Sequence, residues 1–233
     1  MNPCETMLPD DEAVIRALID EVAFEGWTRI ALRRALLACG RDAEDAAFLF
    51  PGGASEMIEA WACLADQDME RAARAADLAA YRTPGRVRAI ISLRFEQNRR
   101  YREAIGRAVA ILALPQNAKL AATITARTVD AIWHAAGDRS ADFAWYTKRA
   151  LLAGVYTSTL LFWLRDMSDD DEDTIAFLDR RLDNVASIGK IRKTIEARMP
   201  KSRTPRFPKL RLPRLPRLRL PTPCASPCRA PGS

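Results

Sequence analysis

Glycine and proline breaks, and what lies between them, constrain this chain more than any other feature. Gly26, Cys39-Gly40, Pro51-Gly52-Gly53, Thr83-Pro84-Gly85, Pro115 and Gly137-Asp138 cut the first two hundred residues into blocks. Within the blocks, apolar residues return every three or four positions, as in Val14, Ile15, Leu18, Ile19 and Val22. No block alternates apolar and polar residues as a half-buried strand does. The pattern predicts an all-α bundle of about nine helices. The first is expected over Asp11–Phe24, with Thr28 capping a second over Arg29–Ala38 and Gly40 closing it. A short third helix over Asp42–Leu49 precedes a long fourth from Ser55 to Arg82. Further helices are expected over Arg86–Asn98, Arg102–Leu114, Ala118–Ala136 with Asn117 as cap, and Phe143–Met167 with Ser140 or Asp142 as cap. The acids Asp169 to Asp173 read as a solvated helix start, where the helix dipole favours negative charge.

Pro200 marks a change of physics. Nine of the fourteen prolines fall at or after it, among leucines and arginines in a low-complexity repeat. Proline at that density forbids helix and removes sheet donors, so residues 200–233 are expected to be a disordered Pro/Arg-rich tail. The tail holds nine basic side chains and no acid, leaving 27 basic against 30 acidic residues in 1–199. The net charge of +6 is therefore a basic tail on a slightly acidic body. Such a body has no attraction for nucleic acid, whereas the tail suits a polyanionic surface. Just before it, Val185, Ile188, Ile191, Ile195 and Met199 recur at helical steps beside Lys190, Arg192, Lys193 and Arg198. That is the pattern of a basic interfacial helix, and Ile188, Lys190, Ile191, Arg192, Lys193 and Ile195 are its candidate membrane-binding residues. The organisation expected is a helix-turn-helix-like module at 10–57, a ligand-binding helical domain at 58–183, the basic helix at 184–199 and the tail at 200–233.

The chemistry a catalyst needs is scarce. His134 is the one histidine, which excludes paired Glu-x-x-His metal motifs, and a helix-surface position suits it better than a triad. No Walker loop or Gly-x-Gly-x-x-Gly turn occurs. Cys4, Cys39 and Cys63 are dispersed and Cys224 and Cys228 lie in the tail, so reduced thiols are expected. The start, with Glu5, Asp10, Asp11 and Glu12 and no base, does not read as a signal or transit peptide. The uncharged stretch Leu151–Leu164 is too short to span a bilayer. It is apolar on nearly every side, through Val155, Tyr156, Leu160, Leu161, Phe162 and Trp163, so it is either core or the wall of an apolar cavity. Of these, Val155, Tyr156, Leu160, Phe162 and Trp163 are the candidate pocket residues. The composition points to a binder without catalytic residues or a metal site.

Residues 11–57 have the helix-turn-helix layout of the TetR repressor family, whose short third helix enters the major groove. Here that helix reads Arg41-Asp42-Ala43-Glu44-Asp45-Ala46-Ala47, with three acids to one base. DNA affinity rests on cation–phosphate contacts, so the layout suits a TetR-like fold and the charges oppose DNA binding. A TetR-type regulator binding DNA and a hydrophobic ligand is the alternative reading.

Ala110–Asn117, Asp130–Arg149, Leu151–Tyr156 and Glu172–Arg181 resemble the COQ9 family of coenzyme Q accessory proteins. The most specific run is Gly137-Asp138-x-Ser140-x-Asp142-Phe143-x-Trp145-Tyr146-Thr147. The likeness covers about residues 11–199 and leaves out the tail. It implies a TetR-like homodimer that has lost DNA binding and holds a bound isoprenoid lipid or quinone intermediate in an apolar pocket. It also implies a partner, the di-iron demethoxyubiquinone hydroxylase, and an amphipathic final helix touching the membrane. The place implied is peripheral, on the cytoplasmic face of a bacterial membrane or the matrix face of the mitochondrial inner membrane. Carried over by position, the partner-binding patch is Ile132, Asp142, Trp145, Tyr146 and Arg149, with Ile132 replacing a methionine and Ile175 a tryptophan of some relatives. Asp142, Trp145 and Arg149 share a helix face, and an aromatic-plus-arginine face has the composition of an interface hot spot. Core packing is the other role open to Trp145.

Overall fold

The computed structural model describes residues 9–78, 80–138 and 144–198, with side chains between residues 10 and 186 of that range. It divides into two units, Met1–Ile191 and Arg192–Ser233. The second contributes only the end of a helix to the described residues, and the helical fold belongs to the first. Ser140, Asp142 and the tail from 200 to 233 lie outside the described residues. So do the side chains of Ile188, Lys190, Ile191, Arg192, Lys193 and Ile195.

The described residues are helical and contain no strand. Helices α1 (Pro9–Glu25), α2 (Arg29–Ala38) and α3 (Ala46–Leu49, entered through a 3-10 turn at Ala43–Asp45) form the N-terminal module. The Thr28 hydroxyl accepts from the Ala31 N–H at 3.3 Å and caps α2 as the sequence predicts. Gly40, at φ +71°, closes α2 in the left-handed region, and the Arg41 N–H returns to the Leu36 carbonyl at 2.9 Å. Leu18, Leu32 and Leu36 are fully buried between the helices. Trp27 fastens this module to the rest, its indole Nε1 donating to the Ala104 carbonyl at 3.0 Å.

The larger part comprises α4 (Ala54–Ala75), α5 (Thr83–Asn98), α6 (Arg102–Leu112), α7 (Ala118–Ala135), α8 (Ala144–Trp163) and α9 (Glu172–Arg198). Helix α4 is shorter than expected. The chain leaves it at Ala76 and turns into α5, and Arg86 Nε takes up the carbonyls of Leu78 and Tyr81 in that turn. Asn117 does not cap α7 with its side chain. Its Nδ2 donates to the Ile111 carbonyl at 2.8 Å and its Oδ1 accepts from the Ser55 hydroxyl, which ties α4 to the α6–α7 corner. Helix α9 runs unbroken through residue 184, where the sequence pattern suggests a boundary.

The acidic run before α9 is not simply solvated. Asp169–Asp171 form a 3-10 turn in which Asp171 is buried and paired with Arg99 and Arg102. Asp166 is buried too: its Oδ1 accepts from Ser168 and its Oδ2 from the Thr174 N–H at 2.8 Å. Burial alone raises a carboxyl's pKa, but the Ser168 and Thr174 hydrogen bonds outweigh it and hold Asp166 at about 2. The expectation of reduced thiols fails at Cys63, which is disulfide-bonded, while Cys39 is free. His134 is exposed on α7.

Candidate functional site

Five helices, α4 to α8, each turn an apolar face inward without closing the space between them. The result is a chamber of about 300 Å³, at the lower end of the range for small-molecule sites. Ile58 and Trp61 of α4, Phe95 of α5, Ile105 and Val109 of α6, Ile124 of α7 and Leu160 of α8 are among its walls.

One end of the chamber is aromatic. Phe95 stacks on Trp163 at 5.3 Å between centroids and lies parallel to Tyr156 at 6.1 Å. The same end carries charge. Arg94, 5% exposed, lies 2.7 Å from Asp66, also 5% exposed, and its Nε donates to the Tyr156 hydroxyl at 2.9 Å. Asp66 also accepts from the Thr128 hydroxyl at 2.9 Å. Burial opposes the Arg94 charge, but Tyr156 and Asp66 beside it raise its pKa above the ordinary arginine value. A buried ion pair survives only when paired and hydrogen-bonded in this way. The more exposed part of the lining is predominantly apolar, with Leu112 and Ala113 at the end of α6, Ala121 on α7 and the half-exposed Leu161 on α8, beside Thr125 and Thr157.

Three of the five expected pocket residues come together here: Tyr156, Leu160 and Trp163. Val155 does not line the chamber. It is buried in the core, one position before Tyr156 on the helix. Phe162 turns outward along α8 and stacks on Phe177 of α9 at 4.6 Å. Asp66, Arg94 and Thr128 are not among the residues the sequence singles out. The available signal was a charge on an apolar stripe: Arg94 shares the buried face of Ile90, Ile91 and Phe95, and Asp66 that of Cys63 and Met69.

The expected partner patch is only partly assembled. Trp145 and Tyr146 meet edge to face at 4.7 Å, and the Arg149 guanidinium lies over the Trp145 ring at 3.7 Å while pairing with Asp130 of α7. Tyr146 is 71% exposed, and Trp145 is half-buried. Ile132 is the correction. It is fully buried in the core facing away from solvent, so it cannot lie on a surface patch.

The N-terminal module carries few free cations. Arg41 pairs with Asp11 and Asp45, Arg33 with Glu44, and Arg34 with Glu21 and Glu25. No helix among the described residues is long and apolar enough to cross a membrane. No cluster of histidine, cysteine and carboxylate side chains among them could hold a metal ion.

An all-helical bundle with a helix-turn-helix-like start and an apolar chamber behind it defines a TetR-like fold. Its likeness to a TetR transcriptional regulator from Nitrosomonas europaea shows that fold directly, with a TM-score of 0.60 at 21% identity over 75% of this chain and 96% of that one. A profile of the COQ9 family matches residues 118–189, from the start of α7 into α9. The ubiquinone biosynthesis protein COQ9 of Rattus norvegicus is 31% identical over 79% of this chain and 61% of its own length. The human COQ9 protein is 29% identical over 79% of this chain and 60% of its own. A probable COQ9 of Dictyostelium discoideum reaches 42% over 38% of this chain and 29% of its own. All three relatives are named as mitochondrial. The chain thus spans about three-fifths of the length of the mammalian relatives it matches.

Proposed function

We propose that this chain is a lipid-binding accessory protein of ubiquinone biosynthesis, without an active site of its own. It holds a quinone intermediate in the chamber and presents it to the di-iron demethoxyubiquinone hydroxylase. The observation that carries the reading is the chamber itself, predominantly apolar in its lining and built from helices that include the COQ9 segment. The relatives are named for ubiquinone biosynthesis. The exposed Tyr146 beside Trp145 and Arg149 is the docking face for the hydroxylase, because aromatic and arginine side chains dominate interface hot spots.

The basic residues Lys190, Arg192 and Lys193 and the nine cations of the tail bring the chain to an anionic membrane as a peripheral protein. Ile188, Ile191 and Ile195 supply the apolar face of that contact. Homodimerisation belongs to the same reading. Removing the gene from its host should lower ubiquinone and accumulate its demethoxylated precursor. An unchanged quinone profile would count against the proposal.

The likeness to a TetR regulator favours a second reading, a DNA-binding regulator with a hydrophobic effector. Glu44 and Asp45 at the start of the third helix oppose it, as do the ion pairs that occupy Arg33, Arg34 and Arg41. Salt-dependent, sequence-specific binding to the DNA upstream of its own gene would establish that reading instead.

A further inference from the structure

Arg102 is not part of the chamber lining, yet it touches the chamber's wall. Its guanidinium sits over the Trp163 ring at 4.7 Å. Trp163 has no exposed surface, so it backs the lining rather than meeting a ligand. It stacks on Phe95 at 5.3 Å, and Phe95 in turn lies parallel to Tyr156 at 6.1 Å, both of them lining residues. Arg94 closes the row, 5.8 Å from the centre of the Tyr156 ring. Arg102, Trp163, Phe95, Tyr156 and Arg94 thus form one line of contacts drawn from α5, α6 and α8.

What holds Arg102 is the turn before α9. Its Nη1 donates to the Asp166 carbonyl at 2.5 Å, and its Nη2 donates to the carboxylate of the buried Asp171. Asp170 and Asp171 stand at φ +50° and +61°. Residues other than glycine keep that left-handed backbone only where their surroundings hold them in it. Here two arginines do so. Arg99 pairs with Asp170 at 2.7 Å and with Asp171 at 2.9 Å, and Arg102 pairs with Asp171. Both arginines supply charge to the turn, but of the two only Arg102 also lies over a ring among the described residues. A planar guanidinium can stack on an indole while its edge donates to two acceptors, which an ammonium cannot do.

We propose that Arg102 is a positioning residue of the chamber. Held by Asp171, it fixes the plane of Trp163 and, through Trp163, the Phe95 and Tyr156 part of the lining. The turn before α9 therefore sets the shape of the cavity from outside it. The effect on ligand binding rests on the reading of the chamber as a quinone-lipid site, whereas the hold on Trp163 does not. A wall fixed in advance spares the ligand the cost of ordering it, so loosening the wall weakens binding.

Fluorine NMR of the full chain labelled with fluorotryptophan reads Trp163 directly, its resonance being assigned by its loss in Trp163→Phe. Arg102→Met keeps an unbranched stem and removes the planar cation. It should shift and broaden the Trp163 resonance and weaken decylubiquinone several-fold in calorimetric titration. Arg99→Met removes the other arm of the same clasp and should leave both readings at the wild-type values. Asp171→Asn weakens the hold on Arg102 and should move the Trp163 resonance as Arg102→Met does. If Arg102→Met fails to fold by circular dichroism, Arg102→Lys, which keeps the charge and gives up the planar stack, carries the same expectations. A Trp163 resonance unmoved by the Arg102 or Asp171 variants, or moved as far by Arg99→Met, overturns the positioning role. A wild-type chain that binds no decylubiquinone overturns the quinone-lipid reading, and the fluorine comparison still decides the role of Arg102.

Discussion

Asp66 and Arg94 show what a single buried pair can decide. The pair sits among apolar side chains, and neither charge has water to fall back on. Asp66→Ala leaves the guanidinium uncompensated and should cost about 3–5 kcal/mol in urea unfolding. The double replacement Asp66→Ala with Arg94→Met should recover most of that loss, and an Asp66→Ala chain as stable as wild type would contradict the pairing. Asp166 acts by a different route. Its carboxyl is held at about 2, below its ordinary 3.8, because the folded state hydrogen-bonds the charged form. Its stabilisation is therefore complete above the ordinary value and is lost as pH falls toward 2. Asp166→Asn should remove that part of the acid dependence, measured as unfolding midpoint against pH. In the sequence Arg94 is one arginine among many, and periodicity alone cannot separate a buried guanidinium from one whose head reaches water. Tyr156 and Trp163 were legible because they interrupt nothing: they continue an apolar run that has to be buried.

The helices were legible where a local rule decided them and illegible where a distant partner did. Thr28 and Gly40 bracket α2 because capping hydroxyls and left-handed glycines act within one turn. Asn117 obeys no such local rule, because the Ile111 carbonyl and Ser55 compete for its amide. Val155 and Phe162 depart from expectation for a related reason. An all-apolar helix has no polar face to orient it, so only its neighbours determine which side meets the chamber. Two predictions belong to α8. Tyr146→Ala removes an exposed side chain, so it should change stability by no more than about 0.5 kcal/mol while weakening hydroxylase binding at least tenfold. A surface-plasmon measurement with unchanged affinity would remove Tyr146 from the docking face. Leu160→Trp puts a bulky indole in place of a branched aliphatic side chain in the chamber wall and should lower the amount of lipid that copurifies, with the fold intact by circular dichroism.

At the scale of the whole molecule, charge is divided along the chain. Residues 1–199 carry a slight excess of acids, while the last 34 carry nine cations. Basic groups near an anionic leaflet contribute about 1 kcal/mol each, and salt screens them. Binding of the full chain to phosphatidylserine vesicles should therefore fall steeply between low and physiological salt. Replacing Lys190, Arg192 and Lys193 together by glutamine should weaken it further, and salt-independent binding would argue for a purely apolar contact. The all-α class and the TetR-like layout could be read from the breaks alone, since short connections between helices leave few ways to bury their stripes. The chamber could not, because it depends on how far five helices fail to fill the space they enclose.

The most direct test of a quinone-holding chamber is to extract the purified chain with organic solvent and identify what it carried by mass spectrometry. Ubiquinone or its prenylated precursors, recovered in near-stoichiometric amount and depleted from the Leu160→Trp variant, is the outcome expected here. A chain that yields no such lipid, and takes none up when ubiquinone-containing vesicles are supplied, would contradict the account.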